Sequence, residues 1–419
     1  PPLYYEFLHF WVWIFGDSEF ATRLPSALFG SFSIIAIYMF GKSLFIKNVG
    51  LLSALILAVS EFHIKYSQEA RAYSLLALLT LISFYFYLRL MDSRRRLYFW
   101  GYLISSLLMI YSHYYGFLIL AAQNIFFFGN YLKTRNLGAL SLRKWLTSQI
   151  ILGVLYLPGF ILFAKHTVAI QGGFWIPEPS LAGLARTFIV YSGSTVLCLV
   201  LLICSLLSFL SLKPVKGKLA KGLSLKELPL SGSNRLYLLL LWLFIPILLP
   251  FILSQFSTPV LLYRYTIGAS LAFYLLAAIG ICITGRRAVM IIISFVILAL
   301  SYVNLEEYYN TVDKYQWRET ISYIEDNASS GDYVTVYPLF EIDTAHYYKD
   351  RDDLHYYPLN DELISITDIG NKNLWLVIAD HARTKRKVLE DAMQQRYDLL
   401  DQKKYKSLNL YKYQKKQVQ

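Results

Sequence analysis

The stretch from His63 to Tyr73, HIKYSQEARAY, carries the densest set of side chains in the sequence that could do chemistry. It holds one carboxylate, two cations, a histidine and two tyrosines between apolar runs at 49–60 and 72–91. A carboxylate can move a proton, and cations can hold an anion. Ionisable groups at the boundary of a membrane helix bundle are costly to keep, which makes them functional candidates by default. The alternative is an ordinary interfacial loop whose charged side chains reach for water.

Glu69 is the leading acid, because it stands where the chain re-enters the membrane and a helix N-terminus favours negative charge. Arg71 and Lys65 are close enough in sequence to orient Glu69 or to bind an anion. Arg264 precedes another apolar run, and a guanidinium matches two phosphate oxygens. The structural alternatives are a helix-cap carboxylate neutralised by Arg71 and an arginine that reaches ordinary lipid headgroups.

Polar and aromatic side chains near these charges are expected to contact a substrate. They are Tyr66, Gln68, Tyr73, His113 and Tyr114. A histidine such as His113, between two apolar runs, is more often a hydrogen-bonded interfacial residue than a base. Residues 1–303 contain no Asp-X-Asp, and the sequence contains no HExxH, no cysteine pair at zinc spacing and no glycine-rich phosphate loop, so we expect no metal and no other cofactor.

The composition places the chain in a membrane. Of its 419 residues 56% are hydrophobic and 16% are charged, whereas about a quarter of the residues in soluble domains are charged. Repeated apolar runs predict an all-α polytopic bundle. About ten spans are expected, at 24–41, 49–62, 72–91, 97–112, 116–132, 146–164, 188–212, 236–254, 265–284 and 288–303. Residues 1–16 predict an aromatic helix lying in the interface, with a truncated span as the alternative.

The charge distribution predicts the orientation of the chain and argues against nucleic acid as a partner. Residues 1–303 contain 24 Lys and Arg against 8 Asp and Glu, while residues 304–419 contain 16 against 20. Of the 24 basic residues, 18, counting Arg89, belong to one set of alternate loops, at 42–48, 92–97, 133–145, 213–235 and 285–287. The positive-inside rule makes that set cytoplasmic. The His63–Tyr73 stretch, Arg264 and the C-terminus are then extracytoplasmic.

Residues 304–419 predict a second domain after the membrane domain at 1–303. Tyr333–Tyr337 and Leu374–Ile378 alternate as strands do, and helical patterns cover Trp317–Ile324 and 383–396. These elements predict a small extracytoplasmic α/β domain, whose tail from Lys403 is either a last strand or a loose end. The three cysteines fall inside apolar runs, so no disulfide is expected.

Several segments, taken as a set, resemble membrane glycosyltransferases with the GT-C fold, in the superfamily of protein mannosyltransferases and aminoarabinose transferases. The segments are Pro1-Pro-Leu-Tyr-Tyr5, Phe15-Gly-Asp-Ser-Glu-Phe-Ala-Thr-Arg-Leu-Pro-Ser26, Phe62-His-Ile-Lys-Tyr-Ser-Gln-Glu-Ala-Arg-Ala-Tyr73, Tyr111-Ser-His-Tyr-Tyr115 and Trp317-Arg-Glu. The resemblance is strongest over about the first 130 residues.

This resemblance implies a multi-pass enzyme of the plasma (inner) membrane that takes part in glycosylation. It would move a sugar from a polyprenyl-phosphate carrier to an acceptor lipid, glycan or protein on the outer face, with membrane lipid around it. Glu69 resembles the second acidic position of such enzymes. The first is expected upstream of Pro1, so residues 1–419 alone are expected to lack the catalytic base. The runner-up is a lipid-linked oligosaccharide flippase or another transporter, for which charges near the midplane, repeats and broken helices are typical.

Overall fold

The computed structural model describes residues 1–134, 138–170, 176–212, 232–311, 314–358, 371–380 and 383–416. The chain forms two compact units, Pro1–Glu306 and Glu307–Gln419. The first unit is a bundle of apolar helices and the second contains a five-stranded sheet, which confirms the predicted fold class. Most of the predicted cytoplasmic loop at 213–235 lies outside the described residues.

The helices of the first unit follow the apolar runs closely. They are α1 (Leu3–Phe15), α2 (Glu19–Leu44), α3 (Lys47–Ala58), α4 (Glu61–Ser67), α5 (Tyr73–Asp92), α6 (Arg96–Ser112), α7 (Gly116–Thr134), α8 (Leu142–Leu155), α9 (Leu157–Ile170), α10 (Leu181–Ser192), α11 (Thr195–Leu207), α12 (Gly232–Ser254), α13 (Ile267–Ile283) and α14 (Arg287–Asn310). Short 3-10 turns at Ser208–Leu212 and Tyr263–Thr266 adjoin α11 and α13.

Within the described residues, five helical segments are long and apolar enough to cross a membrane by themselves. Three bent pairs pass the same test when each is taken as one span, which gives up to eight. The predicted spans at 97–112 and 116–132 form α6 and α7, of 17 and 19 residues, which are not among those eight. The prediction of about ten spans is therefore higher than the count that length and composition support.

Three predicted spans are interrupted, although the sequence showed no broken helix. α3 and α4 meet at 63°, α8 and α9 at 54°, and α10 and α11 at 93°. The breaks have local causes. The Ser60 hydroxyl accepts a hydrogen bond from the N–H of His63 across 3.2 Å and so caps the start of a new helix, α4. Gly193, with φ 86°, ends α10 in a conformation that residues with a Cβ rarely adopt.

α13 lies at the centre of the first unit, where 94% of the apolar window within Tyr263–Ile283 is buried. Because lipid tails are as apolar as these side chains, close packing and hydrogen bonds hold such a helix in place. A Cβ on Gly280 would stand 1.6 Å from the carbonyl oxygen of Cys204, so α11 and α13 pack backbone to backbone there. Trp242 of α12 donates its indole N–H to the carbonyl of Gly268, 2.7 Å away.

The second unit has strands β1 (Tyr333–Tyr337), β2 (His355–Pro358), β3 (Asn373–Ala379), β4 (Tyr397–Tyr405) and β5 (Leu408–Lys415), in the order β2-β1-β3-β5-β4. β1 runs parallel to β2 and β3, and β5 runs antiparallel to β3 and β4. Its helices are α15 (Trp317–Asn327), α16 (Ile342–Tyr348) and α17 (Arg383–Arg396). The tail thus forms strands, one of the two predicted alternatives.

The sheet of the second unit is covered on both faces, as alternation along a strand requires. Leu374 and Leu376 of β3 pack in a cluster with Leu389 of α17. Trp375, which points to the other face, packs in a cluster with Ile321 of α15.

Candidate active site

Five aromatic rings from three separate parts of the chain meet near Glu69, and we call them the aromatic cluster. They are Tyr66, Tyr73, His113, Tyr115 and Tyr265. The ring centre of Tyr265 lies 5.0 Å from that of His113, 5.5 Å from that of Tyr115 and 6.2 Å from that of Tyr73. Tyr66 lies 5.2 Å from Tyr73. The α4–α5 connection, the α6–α7 turn and the turn before α13 therefore converge on one place.

Three charged side chains act on this cluster. The guanidinium carbon of Arg264 lies 5.7 Å from the ring centre of Tyr265. Arg264 is also close enough for its charge to act on Tyr73, and so are Glu69 and Arg71. Two cations and one carboxylate therefore lie within electrostatic range of a single phenol, and such a set can receive an anion next to a group able to move a proton.

Arg71 is held from two helices that lie far from it in sequence. Its Nη1 donates to the hydroxyl of Tyr5 on α1, 3.0 Å away. Its carbonyl oxygen accepts a hydrogen bond from Ser26 Oγ on α2, 3.2 Å away, and Ser26 Oγ is 2.7 Å from the hydroxyl of Tyr4. Arg71 is nevertheless exposed, so its guanidinium can contact a ligand while it donates to Tyr5.

The position of Glu69 corrects one part of the sequence interpretation. α5 begins at Tyr73, so Glu69 lies in the connection between α4 and α5 and not in the first turn of the re-entering helix. The N–H of Arg71 donates to the carbonyl of Glu69 across 2.7 Å, which closes a tight turn. The first half of the stretch is helical because Ser60 caps α4. The helix-cap alternative for Glu69 therefore loses its geometric basis.

His63 holds α4 against α2 by a hydrogen bond, and Ser67 packs closely against Gly30 of α2. The Nε2 of the buried His63 is 3.0 Å from the carbonyl oxygen of Gly30, and Ser67 Oγ donates to the carbonyl of His63 across 2.7 Å. Lys65 and Gln68 are half-buried, one inside α4 and one just after it. Their roles in binding remain predictions.

His113 is a hydrogen-bonded neutral residue, as the alternative interpretation expected. Its Nδ1 accepts the N–H of Tyr115, 3.2 Å away, so the proton of the neutral ring is on Nε2. Burial among the rings, with the guanidinium of Arg264 nearby, lowers the pKa of His113 to about 3. The imidazole therefore carries no charge at physiological pH.

Tyr114 points away from the aromatic cluster. Its ring centre lies 5.0 Å from that of Phe163 on α9, and both residues line a groove of about 670 Å³ between α6, α7, α8 and α9. Other residues of this groove are Phe117, Leu118, Leu152, Tyr156 and Phe160. The predicted substrate residues thus divide between a charged cluster and an apolar groove, which meet at consecutive positions in the α6–α7 turn.

Comparison with known proteins identifies the fold. Residues 1–166 match the family model described as dolichyl-phosphate-mannose-protein mannosyltransferase. ArnT from Cupriavidus metallidurans, in its apo state, superposes with a TM-score of 0.59 at 12% identity, over 98% of this chain and 87% of ArnT. The same protein bound to undecaprenyl phosphate gives a TM-score of 0.58 at 12% identity over the same shares. The protein has the GT-C fold.

A third GT-C neighbour is the oligosaccharyltransferase of Archaeoglobus fulgidus in complex with Zn and sulfate. It has a TM-score of 0.52 at 12% identity, over 98% of this chain and 64% of that protein. No curated protein matches the chain in sequence. The resemblance predicted from the motifs is confirmed, and four of the five segments that carry it lie within the matched residues 1–166.

Sequence reasoning missed two parts of this candidate site. Tyr265 is the centre of the aromatic cluster, and the pattern Tyr-Arg-Tyr around Arg264 could have indicated it. Tyr5 holds Arg71 from 66 positions away, and nothing in the sequence links the two.

Within the ranges that the structure describes, no three His, Cys, Asp or Glu side chains are grouped so as to hold a metal ion. The three cysteines are buried free thiols.

Proposed function

We propose that this protein is a membrane glycosyltransferase that moves a sugar from a polyprenyl-phosphate carrier to an acceptor on the extracytoplasmic face. The observation that carries the proposal is that Arg71, Arg264 and Glu69 all lie within electrostatic range of Tyr73. The likeness to ArnT, which has been solved with undecaprenyl phosphate, supports a carrier of this chemical class. The match to the mannosyltransferase family model supports glycosyl transfer.

In this proposal the two arginines hold the phosphate of the carrier. A guanidinium donates from a rigid fork that matches a pair of phosphate oxygens. The acceptor hydroxyl attacks the anomeric carbon, the bond from that carbon to the phosphate oxygen breaks, and polyprenyl phosphate leaves with the electron pair. Glu69, the second acidic position, supports the acid–base chemistry by which the attacking hydroxyl loses its proton. Lys65, Gln68, Tyr66 and Tyr73 contact the phosphate or the sugar.

The groove beside Tyr114 is proposed to take the prenyl tail. Its aromatic and aliphatic lining suits a branched hydrocarbon chain. The phosphate of the same carrier would then bind to Arg71 and Arg264. Since His113 and Tyr115 face the aromatic cluster while Tyr114 faces the groove, the α6–α7 turn lies between the tail and the head of one carrier.

The three bent helix pairs also favour a second candidate, a transporter of lipid-linked sugars, because interrupted helices line the substrate sites of many transporters. The two functions differ in whether the glycosyl bond breaks, which in a transferase depends on the carboxylate of Glu69. A transporter moves its cargo without breaking the glycosyl bond, whereas a transferase releases polyprenyl phosphate.

Glu69→Gln in the full protein provides the test. Reconstituted protein receives undecaprenyl-phosphate-linked hexoses or pentoses radiolabelled in the undecaprenyl chain, together with a membrane extract as the source of acceptor, and free labelled undecaprenyl phosphate is measured. We expect Glu69→Gln to lower its release by about 100-fold, the scale of a lost acid–base group.

The matched control is Glu19→Gln, which removes a carboxylate paired with Arg23 at 3.4 Å on the same predicted side. It should leave release unchanged. Full activity of Glu69→Gln would reject the assigned role of Glu69, and movement of intact carrier across the membrane without release would favour the transporter.

A further inference from the structure

A second groove, of about 720 Å³, lies between α3 and α14 at the end of the bundle that carries the basic loops. We call it the α3–α14 groove. Its wall is apolar over most of its length, and its lining includes Leu51, Leu52, Met290, Ile291, Phe295 and Leu298. The lining also includes three polar residues, Asn48, Arg287 and Ser294. This groove shares no residue with the candidate active site.

The charge at one end of the α3–α14 groove is positive. Arg287 lines the groove itself, and Arg286 and Lys47 are exposed next to lining residues of the two helices. The amide of Asn48 adds a hydrogen-bonding group at the same end. Guanidinium and ammonium groups beside an apolar groove complement a molecule that has an anionic head and a hydrocarbon tail.

The length of the groove limits what can fill it. Along α14, Arg287 and Leu298 are eleven residues apart, which corresponds to about 16 Å of helix. One leaflet provides half of a hydrocarbon core of about 30 Å, so the groove is as long as one leaflet is deep. A spanning helix of another protein would require an apolar contact twice as long.

We propose that the α3–α14 groove binds one anionic phospholipid of the leaflet on the basic-loop side. The phosphate lies between Arg286, Arg287 and Lys47, and an acyl chain follows Leu51 and Phe295 into the membrane. The binding is independent of glycosyl transfer, since the active-site residues take no part in it.

Native mass spectrometry of the full chain, released from detergent, tests this site with phosphatidylglycerol as the probe and phosphatidylcholine as its zwitterionic counterpart. We expect phosphatidylglycerol to be retained about 30-fold more strongly, the scale of two basic residues beside an anionic lipid. The double variant Arg286→Gln, Arg287→Gln should lose that preference. Ser294→Trp, which fills the groove and keeps every charge, should lower the retention of phosphatidylglycerol as well.

Arg143→Gln is the matched control, because Arg143 is an exposed arginine of the basic loops that does not line the groove. It should retain the preference. Equal retention of the two lipids by the parent protein, or an undiminished preference in the double variant, would overturn the proposal. A dimer that dissociates on Ser294→Trp would also overturn it, because the groove would then take a second copy of the chain.

Discussion

Arg264 lies beside the aromatic cluster and contacts the ring at its centre, Tyr265. It is half-buried beside Tyr265, and its charge also acts on Tyr66 and Tyr73. A guanidinium beside an aromatic ring keeps a defined orientation, which an ammonium on a flexible stem does not. Its geometry should therefore matter as well as its charge.

We expect Arg264→Ala to weaken binding of undecaprenyl phosphate by about tenfold or more, on the scale of a hydrogen bond to a charged group. Arg264→Lys should weaken it less, because the charge remains while the fork is lost. Equilibrium binding of the labelled carrier phosphate to purified protein measures both. The exposed Arg186 on α10 provides a control substitution to alanine, and equal binding by both Arg264 variants and the parent would remove Arg264 from the site.

The sequence identified the residues of this site that are neighbours along the chain. Glu69 and Arg71 stand in one dense polar stretch, and Arg264 is a cation before an apolar run. It could not identify partners that only the fold brings together, such as Tyr5 with Arg71 or Tyr115 with Tyr265. It also grouped Tyr114 with His113, although consecutive residues of a turn point in different directions.

At the scale of the elements, the apolar runs predicted where helices lie but not where they bend. The run at 188–212 is apolar on both sides of its break, and the polar stretch at the break is too short to divide the run by hydropathy alone. The local signal was Ser192-Gly-Ser194, in which Gly193 takes φ 86° and Ser194 accepts from the N–H of Leu197 to cap α11. Capping and backbone conformation therefore decided the break.

In the second unit, α17 is joined to β5 by a charged contact. Arg386 Nε donates to Glu390 Oε1 across 2.7 Å, and the hydroxyl of Tyr411 on β5 hydrogen-bonds to the same oxygen. Burial acts to raise the pKa of Glu390, but these hydrogen bonds outweigh it and hold that pKa below its ordinary value of 4.5. The contact thus stabilises the folded state only while Glu390 is ionised.

Glu390→Gln should therefore destabilise the second unit by about 1–2 kcal/mol near pH 7. The folded-state pKa is the lower one, so the stabilisation is complete above the unfolded value and disappears as the pH falls through the folded value. Hydrogen exchange of amides in β3 and β5, compared between parent and variant at each pH, measures this. Asp398→Asn on the exposed β4 is the control, and a difference that persists unchanged in acid would contradict the assignment.

At the scale of the whole molecule, the charge distribution makes a prediction about orientation. Arg95 lies in a predicted cytoplasmic loop, and Ser329 lies in the second unit, which is predicted to be outside; both are exposed. In intact cells an impermeant thiol reagent should label the Ser329→Cys variant, and it should label the Arg95→Cys variant only after the membrane is opened. The native cysteines are buried and should add little background. The reverse pattern would invert the topology.

The central position of α13 has a consequence for how the chain enters the bilayer. A helix enclosed by protein does not need apolar side chains for contact with lipid, yet Ile267–Ile283 is apolar almost throughout. The insertion machinery assesses a segment by its own hydrophobicity, before the helices that will enclose it have assembled. Residues 263–283 fused alone into a reporter protein should therefore insert as a span. Leu275→Asp in that segment should raise its apparent insertion free energy by about 3 kcal/mol. The apolar side chains of α13 are therefore needed for its insertion into the membrane, before the other helices enclose it.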